Sequence, residues 1–489
     1  MWKSIFIIWI ILIASFPFTA EGQNREKGHE IEVNVDGLRD TTLILGHYYN
    51  QRMFVDDTTR IDQSGKAIFK DKEPLPGGIY VVYLPSQRYF DLLIDEDQEF
   101  KVSVDTTDFV NSMKVEGSEQ TRKFNEYQRF ISERQGRARR LQQQLREKGP
   151  DTEEGQKIKE QLEELDQEVK DHWDKAIKEN PGTMLSIFLK GIRDIEVPDF
   201  EAPQDAENPD SIIKSKRYRY YREHYFDNID LTDNRVLRTP FFAKKVEDYF
   251  TNVLPQAPDT LIKEGIDLIE ASKPSPEVYR FLVQYLFNYA NESQIMGMDK
   301  MVVKLADKYY LSGQAEWADE EFLENLEQRV EEMRPALIGK QGHDLKMQSY
   351  TGNHHRLHEI NAPATILVFW ETDCGHCKKV IPKLHDLYQE ELMDKGIKVL
   401  AVYTQGDQKE WNEFIEEHEL YDFINVWDPH RQTEFHRHYD INSTPTIFVL
   451  DENKTIIGKK IAVEDIPSFT QHYLDHGKAD REGKKMTEN

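Results

Sequence analysis

The segment FWETDCGHCKKVIP, Phe369 to Pro382, contains both cysteines of a 489-residue chain. An apolar run, ATILVFW (364–370), leads into it, and an amphipathic stretch from Gly375 to Leu392 follows. The pattern predicts a buried strand running directly into a helix that opens at the first cysteine. Unpaired amides and the helix dipole at that end favour a thiolate over a thiol. Cys374 is therefore the predicted nucleophile. Cys377, one turn further on, is the predicted resolving thiol, placed to attack a mixed disulfide at Cys374. A structural staple accounts poorly for the pair, because the gain from a cross-link grows with loop length and this loop is minimal. His376, when protonated, is expected to favour the Cys374 thiolate, and stabilising the reduced form raises the potential of the pair. Lys378 and Lys379 act in the same direction, while Glu371 and Asp373 oppose them.

Composition narrows the classes of partner. The net charge is −26, which repels phosphate backbones and argues against nucleic acid. The N-terminus, MWKSIFIIWIILIASFPFTAEGQ, has the charge, apolar run and small residues of an export signal spanning 1–22, with a mature start near Gln23. An uncleaved anchor is the alternative, but the apolar run falls short of the ~20 residues a spanning helix needs. No cysteine follows the run, which excludes a lipid-modified Cys, and no later segment is long and apolar enough to span a bilayer. Export to the periplasm or cell envelope is expected. In that oxidising compartment an even cysteine count normally signals a staple, which sharpens the contrast with this pair.

The rest of the chain divides by period. Residues 23–117 read as an all-β sandwich of short antiparallel strands: IEVNVDG, TTLILGHYY, KAIFKD, GGIYVVYLP, YFDLLID and EFKVSVD, separated by turn residues. From 118 to 180 the period becomes helical, with Ile158, Leu162, Leu165, Val169, Trp173 and Ile177 on one face and Gly149-Pro150 at the break. A helical hairpin or short coiled coil follows, and such a hairpin can also serve as a dimer contact. Residues 181–340 read as an α-helical bundle broken by proline-bearing loops. The basic, aromatic tract KSKRYRYYREHYF (214–226) invites a polyanion reading, but an amphipathic helix with tyrosines inward suits an acidic, exported chain better. Residues 341–475 alternate strand and helix, which implies a central mixed sheet covered by helices. The lysine-rich stretch 476–489 is expected to be disordered.

A zinc reading, with His343, His354 or His355 completing a half-site, fits poorly, because a strand entering a helix at the first Cys is redox-motif context. His436 and His438 read as solvated helix residues. A second motif, INSTPTIFVL, places Thr444-Pro445 just before a strand, like the cis-proline of thioredoxins. An exposed edge there can pair with an extended substrate segment. Pro382 matches the proline that kinks the thioredoxin active-site helix. With FW, CGHC and TP together, residues 341–475 resemble the α/β thioredoxin fold of the TlpA/ResA type, the exported thiol-disulfide oxidoreductases of bacteria. The whole layout resembles large cell-envelope members in Bacteroidetes, which carry β-rich and helical domains of unknown function.

That resemblance implies catalytic Cys374 and Cys377, supported by Trp370, Gly375, His376, Pro382, Thr444 and Pro445. It implies no cofactor and no metal. The implied partners are protein thiols and disulfides, including cytochrome c apoproteins, and a membrane electron shuttle or thioredoxin-like reductant, since the chain has no second dithiol. Reduction is the direction the family favours. The CGHC dipeptide, shared with disulfide isomerases, keeps oxidase or isomerase chemistry open, and the large N-terminal part keeps open a binding or scaffolding role. Three positions depart from the family pattern. Val380 stands where many relatives have a glutamate, Val368 where thioredoxin has a buried aspartate, and Asp373 where a tryptophan is usual. Glu371, Asp373 or water is left to take the proton of Cys377.

Overall fold

A computed structural model describes residues 28–50 and 52–487, so the expected export signal lies outside the described residues. The described residues divide into two compact units: those up to 193 with 235–242, and 194–234 with those from 243 on.

The first unit contains β1 (His29–Asp36), β2 (Thr42–Tyr49), β3 (Arg52–Arg60), β4 (Lys66–Asp71), β5 (Gly78–Tyr83), β6 (Tyr89–Ile94), β7 (Glu99–Asp105) and β8 (Lys114–Glu116). They form two four-stranded sheets, ordered β4-β1-β7-β8 and β3-β2-β5-β6. Alternation in β1 and β7 turns Ile31, Val33, Phe100 and Val102 inward, where they share a core with Leu45, Tyr80, Val82 and Leu92 of the other sheet. The sandwich differs from the expected antiparallel one in one respect. β1 and β7 run parallel, which the long connection through β2–β6 permits. The expected strand set also omits β3 and β8. β3 is mostly exposed along its length, so it carries no buried/exposed alternation to read.

A single turn, α1 (Phe109–Ser112), precedes the hairpin helices α2 (Glu119–Lys148) and α3 (Glu153–Glu179), followed by α4 (Met184–Gly191). Ser118 and Thr152 cap α2 and α3, accepting from the amides of Thr121 and Gly155. Gly149 ends α2 at φ 87°, a positive φ that glycine adopts without steric cost. Ile79 and Leu93 leave the sandwich core and pack on Phe124, Tyr127, Met184, Leu185 and Leu189. This is why β5 is buried on both faces.

The second unit begins with helices α5 (Pro209–Glu223), α6 (Phe242–Asp248), α7 (Pro258–Ser272), α8 (Pro276–Glu292), α9 (Asp299–Leu305) and α10 (Glu320–Met333). Proline opens α5, α7 and α8, where its missing N–H has no intrahelical partner to lose. The basic-aromatic tract forms α5 and the turn after it. Tyr225 is buried against Tyr249, whereas Tyr218 stays 42% exposed.

The sheet that carries the thiols follows. Its strands are β9 (Lys346–Ser349), β10 (His354–Arg356), β11 (Ala364–Trp370), β12 (Lys398–Tyr403), β13 (Ile424–Trp427), β14 (Thr446–Asp451) and β15 (Ile456–Lys459), in the order β10-β9-β13-β12-β11-β14-β15. β11 pairs parallel with β12 and antiparallel with β14. Every residue of β11 is buried. Ile366, Val368 and Trp370 face α11 (Cys377–Leu387) and α12 (Gln408–Glu417), while Leu367 and Phe369 face a second core with α13 (Phe435–Tyr439). Such two-sided burial gives the continuous apolar run rather than an alternating one. The last helix, α14, spans Ile466–Thr487. It continues through most of the stretch expected to be disordered, which has no proline and is rich in the helix formers Lys, Arg and Glu.

Candidate active site

Sheet pairing brings the two sequence motifs together. β11 and β14 are antiparallel, with Phe369 opposite Thr446, so the end of β11 lies beside the start of β14. The thiol segment leaves the first strand where the Thr444-Pro445 segment enters the second. The Thr444–Pro445 peptide is cis. Its carbonyl side faces the thiols: the Cys374 thiol donates to the Thr444 carbonyl oxygen at 3.2 Å.

Helix α11 opens at Cys377, three residues after Cys374 and later than the sequence pattern suggests. Residues 374–376 form a turn instead, with the poor helix former Gly375 inside it. The expected effect on Cys374 nevertheless arises, because its sulfur accepts the Cys377 amide, the first N–H of the helix, at 3.1 Å. Burial opposes ionisation of Cys374. The Cys377 thiol and amide, the Thr444 side chain and the His376 amide outweigh it and hold the thiol below its ordinary value. Cys377 is 0% exposed. Burial first, and then its bond to Cys374, push its thiol up to about 12.

The supporting residues fall into four groups. Thr444 and Pro445 adjoin the pair and are half-buried. Trp370 is buried at the end of β11 against Tyr403 and Phe414, with ring centroids 5.5 and 4.9 Å away. Pro382 sits inside α11. Gly375 and His376 are exposed. A Cβ built on Gly375 meets nothing within 4 Å, so the surface beside Cys374 is open. The His376 ring makes no hydrogen bond to either thiol among the described residues; its amide, not its imidazole, reaches Cys374. The histidines weighed as metal ligands do not gather at the thiols. His343 stacks on His438 with centroids 3.5 Å apart, His354 and His355 lie on β10, and no three potential ligands cluster among the described residues.

Two further residues belong to the site. Gln405 donates to Glu371 Oε2 at 2.6 Å and Thr404 does so at 3.5 Å. Both follow directly after β12. A parallel neighbour whose register matches Trp370 to Tyr403 delivers its C-terminal loop to the same end of the sheet, and this is the signal that points to them. Thr372 is buried and shares a hydrogen bond with the Tyr403 hydroxyl at 2.9 Å.

Behind the cis-proline segment, Arg329 on α10 pairs with the buried Asp440 through two hydrogen bonds, one at 3.0 Å. Asp440 Oδ1 also accepts from Asn442 Nδ2 at 2.7 Å. The helical region thus anchors the loop that carries Thr444.

A thiol of low proton affinity at an open edge, backed by a buried thiol of high proton affinity, suits disulfide exchange in two steps. Residues 363–456 match the thioredoxin-like family model, and residues 29–124 match a domain of unknown function (DUF4369). A thioredoxin-like protein of Haemophilus influenzae is 30% identical over 125 residues, which cover 25% of this chain and 70% of the relative. The thiol-disulfide oxidoreductase ResA of Geobacillus kaustophilus is 30% identical over 132 residues, covering 26% of this chain and 74% of the relative. Among solved structures, a domain of a possible thiol-disulfide isomerase from Cytophaga hutchinsonii is 38% identical, covers 30% of this chain and 98% of that one, and has a TM-score of 0.28. A thioredoxin-like protein from Bacteroides caccae is 19% identical and covers 57% of this chain and 98% of that one at a TM-score of 0.43. With its thiol pair and the curated relatives in agreement, the chain belongs to the thioredoxin-like thiol-disulfide oxidoreductases of the TlpA/ResA type.

Proposed function

We propose that the protein is exported to the cell envelope and reduces protein disulfides there through Cys374 and Cys377. The observation that carries this reading is the asymmetry of the pair. Cys374 lies at the edge of an open surface with its thiolate favoured, and Cys377 lies behind it with its proton held. Cys374 attacks a substrate disulfide and forms a mixed disulfide, releasing one substrate thiolate. Cys377 then displaces the second substrate thiolate, and the two electrons delivered come from the protein pair, which becomes a disulfide. An external thioredoxin-like or membrane-borne reductant restores it. The cis Thr444-Pro445 segment, beside Cys374, is where an extended substrate segment lies.

The favoured Cys374 thiolate also stabilises the reduced form, and this supports a second reading, an oxidase or isomerase. Equilibrating the full chain with a defined dithiol/disulfide buffer separates the two. A midpoint near the thioredoxin value of about −270 mV is expected for a reductase, and one near the DsbA value of about −120 mV would reverse the direction. Reduction of a protein disulfide such as insulin should be lost in Cys374→Ser. Retained turnover in that variant would remove the thiol pair from the account.

A further inference from the structure

The resolving thiol has a proton to lose and no acid at either usual place. Val368 is 0% exposed in the apolar core, and Val380 packs against the same core. One carboxylate, on the short link between β11 and α11, bonds the residue beside the pair. Glu371 Oε1 accepts from the Thr444 hydroxyl at 2.8 Å, and Oε2 accepts from Gln405 at 2.6 Å. Thr444 is also the residue whose carbonyl receives the Cys374 thiol. Its side chain bears on the proton affinity of both sulfurs, and the Glu371 backbone on that of Cys377. A hydroxyl that gives its only proton to a carboxylate presents its lone pairs to whatever else it faces. Here those neighbours are thiols.

We propose that Glu371 is the terminal acceptor of the Cys377 proton, reached through the Thr444 hydroxyl. This rests on the two-step exchange above. As Cys377 approaches the mixed disulfide, its S–H proton passes to Thr444 Oγ1, while the hydroxyl's own proton passes to Glu371 Oε1. The Cys377 thiolate then attacks Cys374 Sγ. The Cys374–Cys377 bond forms, the bond from Cys374 to the substrate sulfur breaks, and the substrate thiolate leaves with the electron pair. Glu371 returns its proton to that thiolate or to water. Gln405 and Thr404 hold the carboxylate in place throughout.

The other titratable groups around the pair are differently engaged. Asp373, His376, Lys378 and Lys379 are exposed. Tyr403, on β12, bonds Thr372. Glu410, on α12, reaches Thr372 at 3.4 Å, and Glu464, before α14, pairs with Lys383. None of them bonds the Thr444 hydroxyl among the described residues.

Single-turnover reaction of the reduced full chain with 5,5′-dithiobis(2-nitrobenzoate) separates the steps. The first release of thionitrobenzoate reports attack by Cys374, and the second reports resolution by Cys377. Glu371→Gln keeps an oxygen for Thr444 but cannot take a proton at neutral pH. It should leave the first release nearly unchanged and slow the second roughly ten- to a hundred-fold near pH 7. The deficit should close as pH rises and hydroxide takes over, and Glu371→Asp should recover part of the rate. An unchanged second phase at every pH, or the same loss in Asp373→Asn with Glu371→Gln normal, overturns the proposal. A wild-type chain that releases thionitrobenzoate only once instead overturns the two-thiol exchange on which it rests.

Discussion

The two thiols should differ in reactivity by orders of magnitude in the folded protein, and the size of the difference follows from the site. Cys377, with its thiol pushed up to about 12, is thiolate to about one part in 10⁵ at pH 7. Cys374 lies below an ordinary value near 9, so more than about 1% of it is thiolate at the same pH. Since the thiolate is the nucleophile, the populations open to alkylation differ by at least about 10³, a gap that the greater intrinsic nucleophilicity of the more basic thiolate offsets only in part. Burial of Cys377 at 0% exposure widens that gap. The assay is a timed iodoacetamide pulse on the reduced full chain, quenched with acid and read by peptide mass mapping. One label, on Cys374, is expected in the native protein, and two labels in denaturant. The Cys374 rate should level off below the pH at which an ordinary thiol does. Comparable native labelling of both residues, or a Cys374 rate still climbing like that of a free thiol, would refute the assignment of the two environments.

Two more outcomes follow from charged groups elsewhere in the fold. Replacing Arg329 with Met leaves the buried Asp440 without its bidentate partner; the side chains are 40% and 4% exposed. A loss of about 1–3 kcal/mol in unfolding free energy is expected from denaturant melts, partly recovered when Asp440→Asn is added; a change under about 0.5 kcal/mol would mean that the brace carries no load. In the first unit, burial raises the Asp91 carboxyl to about 6 from 3.8, and its Oδ1 has no hydrogen-bond partner. The folded state therefore holds this proton more tightly than the unfolded chain, so stability falls as pH rises from about 4 to about 6. Asp91→Asn should stabilise the unit by up to about 3 kcal/mol above that window and make no difference below it, as read from denaturant melts at several pH values.

Local pattern reveals much of this molecule, and pairing across the sheet accounts for most of what it hides. ATILVFW reads as a buried strand because both of its faces are covered. The Cys374/Cys377 spacing and Thr444-Pro445 are each visible in a single stretch. Their meeting depends on the antiparallel pairing of β11 with β14, which no local period encodes. The same holds for Thr404 and Gln405, ordinary loop residues until the register of β12 puts them beside Glu371. The parallel pairing of β1 with β7 joins strands separated by five others, and β3 escapes notice because its residues are mostly exposed. At the other extreme, the start of α11 is misread by only three residues, because a turn at Gly375 carries the same apolar spacing as the helix it precedes.

The most direct test of the central claim is to trap the intermediate. The full-length Cys377→Ala chain, reduced and then offered a protein with an accessible disulfide, should accumulate a covalent adduct through Cys374. That adduct should be cleaved by dithiothreitol and be absent when Cys374→Ser is added. No adduct, or one that persists without Cys374, would contradict disulfide exchange at this pair.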